Sequence, residues 1–270
     1  MTLAHLLLVA LVQGVTEFIP VSSSAHLILL PTVTGWVDQG LNIDIAAHLG
    51  SLAAVIVYLH QDIIGLLRGS ANILLGRANA DGRLVLWLVV ASAPAILVGG
   101  ILVNFNANLF RNIETVAWAT LIGAAVLMVI DKFGPKSRVI KDMTVKEALG
   151  IGIAQILALV PGASRAGVTI TAALFCGYER REAARFSMLL SIPIILAAGG
   201  FNAAQLAVRG EFALTQAVLL TAALSFLASY ITINFMMEWL HRASYMPFII
   251  YRIAIGVGLL LCIYTGVIPV

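Results

Sequence analysis

Gln13-Gly-Val-Thr-Glu-Phe-Ile-Pro-Val-Ser-Ser-Ser-Ala-His26 is a polar, proline-centred stretch between two apolar arms, Leu3–Val12 and Leu27–Val33. Arms of about ten and seven residues make roughly 10–15 Å of helix at 1.5 Å per residue. That length reaches the middle of a bilayer's hydrocarbon core without crossing it. The stretch therefore reads as a re-entrant helix-loop-helix, in to mid-depth and out again. Non-helical backbone at that depth is tolerated only where protein or a water-filled cavity surrounds it. A second segment, residues 147–177, has the same build around Pro161-Gly-Ala-Ser-Arg-Ala-Gly-Val-Thr169.

The rest of the chain fits this setting. Hydrophobic residues make up 61% of the 270 positions and charged residues only 11%, against about a quarter charged in a soluble domain. So few charges cannot cover a water-facing surface. Six stretches read as membrane crossings: about 45–60, 84–104, 114–131, 186–206, 213–238 and 247–268. No Lys or Arg precedes the first apolar run, and no small-residue cleavage site follows it, so the N-terminus is expected to be retained. Cys176 and Cys262 lie far apart in apolar surroundings without metal-ligand spacing, which predicts buried spectators.

Charge placement orients the crossings. If 61–83, 132–146, 178–185 and 241–245 face the cytoplasm, twelve of the sixteen Lys and Arg residues lie on that side. Only Arg111 and Arg209 lie opposite, as the positive-inside rule expects. A net charge of +3 then reports orientation, with no nucleic-acid partner implied. The resulting order is a re-entrant segment and three crossings, repeated with opposite sense. This predicts one all-α polytopic membrane domain, 1–270, built as an inverted-topology repeat with halves at about 1–132 and 147–270. With Pro20 and Pro161 aligned, Ser23 matches Ser164, while Gln13 and Gln155 fall one residue out of step. Two re-entrant segments from opposite faces would meet near the midplane and join their polar centres.

The residues gathered there are chemically suggestive. Gln13 and Glu17 share a helical face, as do Ser22 and His26 on the second arm. Ser22, Ser23 and Ser24 stand where a helix restarts after Pro20, able to cap it, and its N-terminus favours an anion. A carboxylate such as Glu17 among apolar residues is costly in a bilayer and marks a functional cavity. In the second centre Gly162 and Gly167 allow close backbone approach around Arg165. The Arg165 guanidinium is a fixed planar charge suited to phosphate oxygens, and Ser164 and Thr169 add hydroxyl donors. One cation, several hydroxyls, an imidazole and a carboxylate fit a phosphorylated ligand. Phosphoryl transfer needs charge stabilisation, an in-line nucleophile and positioning. Ser23 or His26 supplies the nucleophile, or His26 activates a hydroxyl or water with Glu17 orienting it.

At these residues the chain resembles the undecaprenyl-diphosphate phosphatase family of the bacitracin-resistance type. The two long motifs above carry the resemblance. His48-Leu-Gly-Ser51, Phe186-Ser-Met-Leu-Leu-Ser-Ile-Pro193 and Phe248-Ile-Ile-Tyr-Arg252 support it, and together they span essentially the whole chain. The resemblance implies hydrolysis of undecaprenyl diphosphate to undecaprenyl phosphate and inorganic phosphate, recycling the cell-wall lipid carrier. It also implies a bacterial inner (cytoplasmic) membrane location, a site opening toward the periplasmic or outer leaflet, and a divalent cation, Mg²⁺ or Ca²⁺. Glu17, Ser23, His26 and Arg165 would be catalytic. Ser22, Ser24, Gly162, Ser164, Thr169 and Gln13 would bind substrate, and Glu17 would be the metal ligand. Gln13 stands where the family often has a glutamate, and Ala166 where a serine is frequent. Assembly is left open, a homodimer included. The rival reading is a polyprenyl-phosphate flippase or transporter, in which Arg165 would hold a lipid phosphate without cleavage.

Overall fold

The computed structural model describes residues 2–77, 79–102, 112–211 and 213–267. Arg111, the last two residues of the expected crossing 84–104 and the last of 247–268 lie outside them. The described residues are all-helical, without a strand. Six helices are long and apolar enough to cross a membrane: α3 (Leu41–Tyr58), α5 (Ala80–Leu102), α6 (Ile113–Phe133), α9 (Arg180–Val208), α10 (Gln216–Trp239) and α11 (Met246–Tyr264). The chain is thus a multi-pass membrane protein by length and composition. Each expected crossing is found, with ends shifted by a few residues.

Both proline-centred stretches are broken helices. In the first, α1 (Leu3–Thr16) and α2 (Ser23–Thr34) flank a turn. In the second, α7 (Val145–Gln155) passes through a 3₁₀ turn at Ile156–Leu159 before the chain breaks and α8 (Arg165–Phe175) begins. The two arms of each segment pack on one another. The arms are longer than the apolar runs suggested, because polar Gln13 and Thr16 continue α1 and the serines start α2.

The segment 61–83, read only as facing the cytoplasm, contains a further helix, α4 (His60–Leu74), which packs on α5. Its apolar residues recur on one side of a helix that also carries Asp62 and Arg68, so it is helical without being apolar enough to span. Asp62 is ion-paired to Arg185 at the start of α9, which fastens α4 to a crossing. Cys176 and Cys262 are free, and both are partly exposed rather than buried.

The entry to α7 is held by charge. Thr144 and Glu147 form a capping box, and Glu147 also accepts from Arg138 and from the Tyr178 hydroxyl (2.9 Å). Burial pushes the Glu147 carboxyl up, but these donors outweigh it and hold the group down at about 2.

Helix pairing follows a cross-over rule. The first arm α1 packs on α10, while α7 packs on α5, and α6 packs on α11. Each first arm approaches its partner through a glycine. A Cβ at Gly14 would lie 2.6 Å from Ala228 Cβ, and one at Gly152 would lie 2.6 Å from the Ala91 carbonyl oxygen. Polar side chains lock the same crossings: Ser229 Oγ donates to Gly14 O (3.1 Å) and Gln155 Nε2 to Ala91 O (3.3 Å).

Gly14→Val or Gly152→Val is expected to cost about 1–3 kcal/mol by overpacking, lowering the melting temperature in detergent by about 3–10 °C. Gly150→Ala, whose Cβ meets nothing within 4 Å, should leave it unchanged. Equal melting temperatures for all three would show that the glycines are not close-packing points.

Candidate functional site

The turns that break the two segments are built alike. Among the described residues, only Ser22 (φ 76°) and Ser164 (φ 69°) have positive φ without being glycine. Each caps the helix that follows: Ser22 Oγ accepts from Ala25 N, and Ser164 Oγ from Gly167 N at 3.0 Å. A side-chain cap satisfies one otherwise orphaned N–H and helps offset a conformation that L-residues rarely adopt. Ser22, not Ser23, is therefore the counterpart of Ser164. The prolines misled the alignment because two residues separate Pro161 from its cap and only one separates Pro20 from its own. On the caps, Gln13 and Gln155 fall into register, and Ser23 and Arg165 take the same place as first residues of α2 and α8.

Glu17, the C-cap of α1, is buried at the centre of the joined turns. Its Oε1 accepts from Arg165 Nη2 at 2.9 Å. Its Oε2 accepts from Ser23 Oγ at 2.7 Å and from Gln13 Nε2 at 2.9 Å. His48 Nε2, on α3, stands 3.8 Å from the same oxygen. One carboxylate thus joins a hydroxyl, an amide, an imidazole and a guanidinium from four elements, α2, α1, α3 and α8. Arg165 is aimed by its second nitrogen, which donates to Ser187 O of α9 (2.9 Å), and its guanidinium lies 5.7 Å from the Phe18 ring centre.

His26 sits one turn into α2. Its Nδ1 is 2.7 Å from the Ser22 carbonyl, which can only accept, so Nδ1 carries the hydrogen and a neutral ring keeps its lone pair on Nε2. The Tyr251 hydroxyl of α11 donates to that Nε2 at 2.7 Å, and the two rings stack 5.6 Å apart.

Other expected site residues are placed as follows. Ser24 is exposed beside Ser22, with the hydroxyls 3.2 Å apart. Gly162 has φ +94°, and a Cβ there would lie 2.4 Å from Val116 O, so glycine is needed to seat the turn on α6. Ser164 is buried in its capping role. Thr169 is fully buried, donating to the Arg165 carbonyl (2.9 Å) and sharing a hydrogen with Ser187 Oγ (2.7 Å). It braces the start of α8 and α9 rather than facing the carboxylate. Gln13 is likewise buried, and its Oε1 has no partner.

Among the described residues no three His, Cys, Asp or Glu gather to hold a metal. Glu17 already serves Arg165, Ser23 and Gln13, and the unpartnered Gln13 Oε1 adds one hard oxygen. This donor set fits a divalent cation that shares its coordination with ligand phosphates, and does not fit one caged by protein alone. An apolar groove of about 800 Å³ between α6, α7 and α8, lined by Gly123, Ala154, Val168 and Thr171 among others, lies beside this site without including Glu17 or Arg165.

His48, Ser187, Tyr251 and Arg252 join the site although no role was read for them. Each is a polar residue within a mostly apolar crossing, and only its place within a supporting motif marked it.

The chain is similar to known proteins over nearly its whole length. Residues 6–258 match the family model described as bacitracin resistance protein BacA. A protein of Teredinibacter turnerae named undecaprenyl-diphosphatase is 42% identical over 264 residues, covering 97% of this chain and 100% of that protein. One of Maricaulis maris with the same name is 44% identical over 264 residues, covering 96% and 98%.

Arg165→Met should strand the Glu17 carboxylate without its partner and destabilise the fold by about 3–5 kcal/mol. The double variant Glu17→Gln/Arg165→Met should recover much of that loss in thermal melts. A double variant no more stable than Arg165→Met would mean the pair is not coupled.

Proposed function

The chain belongs to the bacitracin resistance protein family, and we propose that it hydrolyses undecaprenyl diphosphate to undecaprenyl phosphate and inorganic phosphate within a bacterial cytoplasmic membrane. The observation that carries this reading is the position of Glu17, bonded to the Ser23 hydroxyl on one oxygen and to the Arg165 guanidinium on the other. A hydroxyl held on a base and a cation held on the same carboxylate form a nucleophile and a phosphate receptor set side by side.

In this reading the two broken segments are re-entrant halves of an inverted repeat, open toward the outer leaflet. Arg165 and the uncapped N–H groups at the starts of α2 and α8 receive the terminal phosphate. Capture of that phosphate by Arg165 removes the counter-charge of Glu17 and strengthens it as a base. Ser23 Oγ attacks the terminal phosphorus as its proton passes to Glu17. The bond to the bridging oxygen breaks, and undecaprenyl phosphate leaves with the electron pair as an anion. His26, through Nε2, then takes a proton from water attacking the phosphoserine, and the proton on Glu17 returns to Ser23. A divalent cation would be held by Glu17, Gln13 Oε1 and the diphosphate, where it would neutralise phosphate charge.

Retention of lipid without cleavage would instead favour a flippase. Purified protein in detergent should release phosphate from undecaprenyl diphosphate, and absence of release with lipid binding intact would reject the phosphatase reading. Arg165→Ala and Ser23→Ala should each lower kcat by about 10²-fold or more, and a trapped phospho-enzyme should survive acid, unlike a phosphohistidine.

Gln13→Glu should shift the divalent-cation dependence by adding a second carboxylate, read as the concentration giving half-maximal rate. An unmoved midpoint would remove position 13 from the cation's surroundings.

A further inference from the structure

Arg252, on α11, is a guanidinium with only 1% exposure, and among the described residues no carboxylate pairs with it. A charge so placed is expensive, so what it binds is informative. Its Nη1 donates to Pro20 O (3.3 Å), in the first turn. Its Nη2 donates to Gly162 O (3.2 Å) and Ala163 O (3.1 Å), in the second. The three carbonyls belong to non-helical residues of the turns, one or two places before the caps Ser22 and Ser164, where no helix ladder supplies a donor. A planar, multi-donor cation is suited to reach carbonyls of both turns at once.

The guanidinium is also walled in. A Cβ at Gly123 of α6 would lie 2.3 Å from Nη2, and one at Gly167 of α8 would lie 2.6 Å from Nη1. Alanine at either place would press directly on the guanidinium.

We infer that Arg252 is a positioning residue that sets the spacing between the two turns, and so between Ser23 on one and Arg165 on the other. This rests on the phosphatase reading only where it speaks of rate. Arg252 does not touch the phosphate. It acts because a misplacement of about 1 Å between reacting groups costs roughly 10²-fold in rate.

The α6–α11 crossing supplies its own control. Gly123 faces Arg252, whereas Gly256, at the same crossing, faces Leu121 with a Cβ distance of 2.5 Å to Cγ. Both glycines would overpack if replaced by alanine, but only one would press on the guanidinium. In purified protein, Gly123→Ala should lower kcat for undecaprenyl diphosphate by about 10-fold or more with KM little changed. Gly256→Ala should lower the melting temperature comparably while keeping kcat within about twofold. Arg252→Met should lose about 10²-fold in kcat, and Arg252→Lys should recover part of it.

If the arginine variants fail to fold, the glycine pair decides. Equal kcat losses in the two glycine variants, or wild-type kcat in Gly123→Ala, would overturn the inference. A second readout needs no activity. With Cys176 and Cys262 replaced by serine, spin labels at Ser24→Cys and Thr171→Cys report the separation of α2 and α8. Gly123→Ala should broaden or shift that distance distribution and Gly256→Ala should not; the reverse, or no change in either, would count against Arg252 as the tie. No phosphate release from the wild type, together with the expected shift in the labelled Gly123→Ala variant, would sink the phosphatase reading and leave this one standing.

Discussion

A helix interrupted inside an apolar body leaves carbonyls without donors and N–H groups without acceptors, and each unsatisfied group costs several kcal/mol. Two such interruptions meet in this protein, and the surrounding fold answers them. Arg252 supplies hydrogen bonds to carbonyls of both turns. Ser22 and Ser164 cap the helices that restart. Gly162 lets the second turn lie against α6, where Thr120 also donates to its carbonyl (3.3 Å). The N–H groups left over at the starts of α2 and α8 are those an anion can take. The site is thus the part of the repair that the protein leaves to its ligand.

The two turns share a geometry and diverge in chemistry. Their first helical residues, Ser23 and Arg165, occupy equivalent places, and both reach Glu17, which only the first turn contributes. The same frame therefore presents a hydroxyl on one side and a cation on the other. Gln13 orients the carboxylate from one turn back, and its uncharged amide keeps the pair Glu17–Arg165 close to neutral.

Much of this was legible in the residues themselves. Composition and the long apolar stretches told the class, and the proline-centred stretches told where the helices break. Glu17, Ser23 and Arg165 stood out because charge and hydroxyls amid apolar residues are costly. What was not legible depended on partners from distant segments. α4 escaped notice because an amphipathic helix fails a test for spanning without failing to be a helix. Ser164 was matched with Ser23 rather than Ser22 because caps, not prolines, define the register. Thr169 looked like a donor to phosphate by spacing alone, yet Ser187 of α9 claims it. The importance of His48, Tyr251 and Arg252 appears only when α3 and α11 are packed against the turns.

The ion pair at the centre also has a history in time. Glu17 and Arg165 are 148 residues apart, and synthesis runs from the N-terminus. At about 5–20 residues per second, roughly 7–30 s separate the emergence of the carboxylate from that of its guanidinium. Throughout that interval the first half of the chain holds an acidic group with no Arg165 to meet it, so it must either stay protonated or stay wet. The completed site is then reached only when the second half of the chain folds against the first.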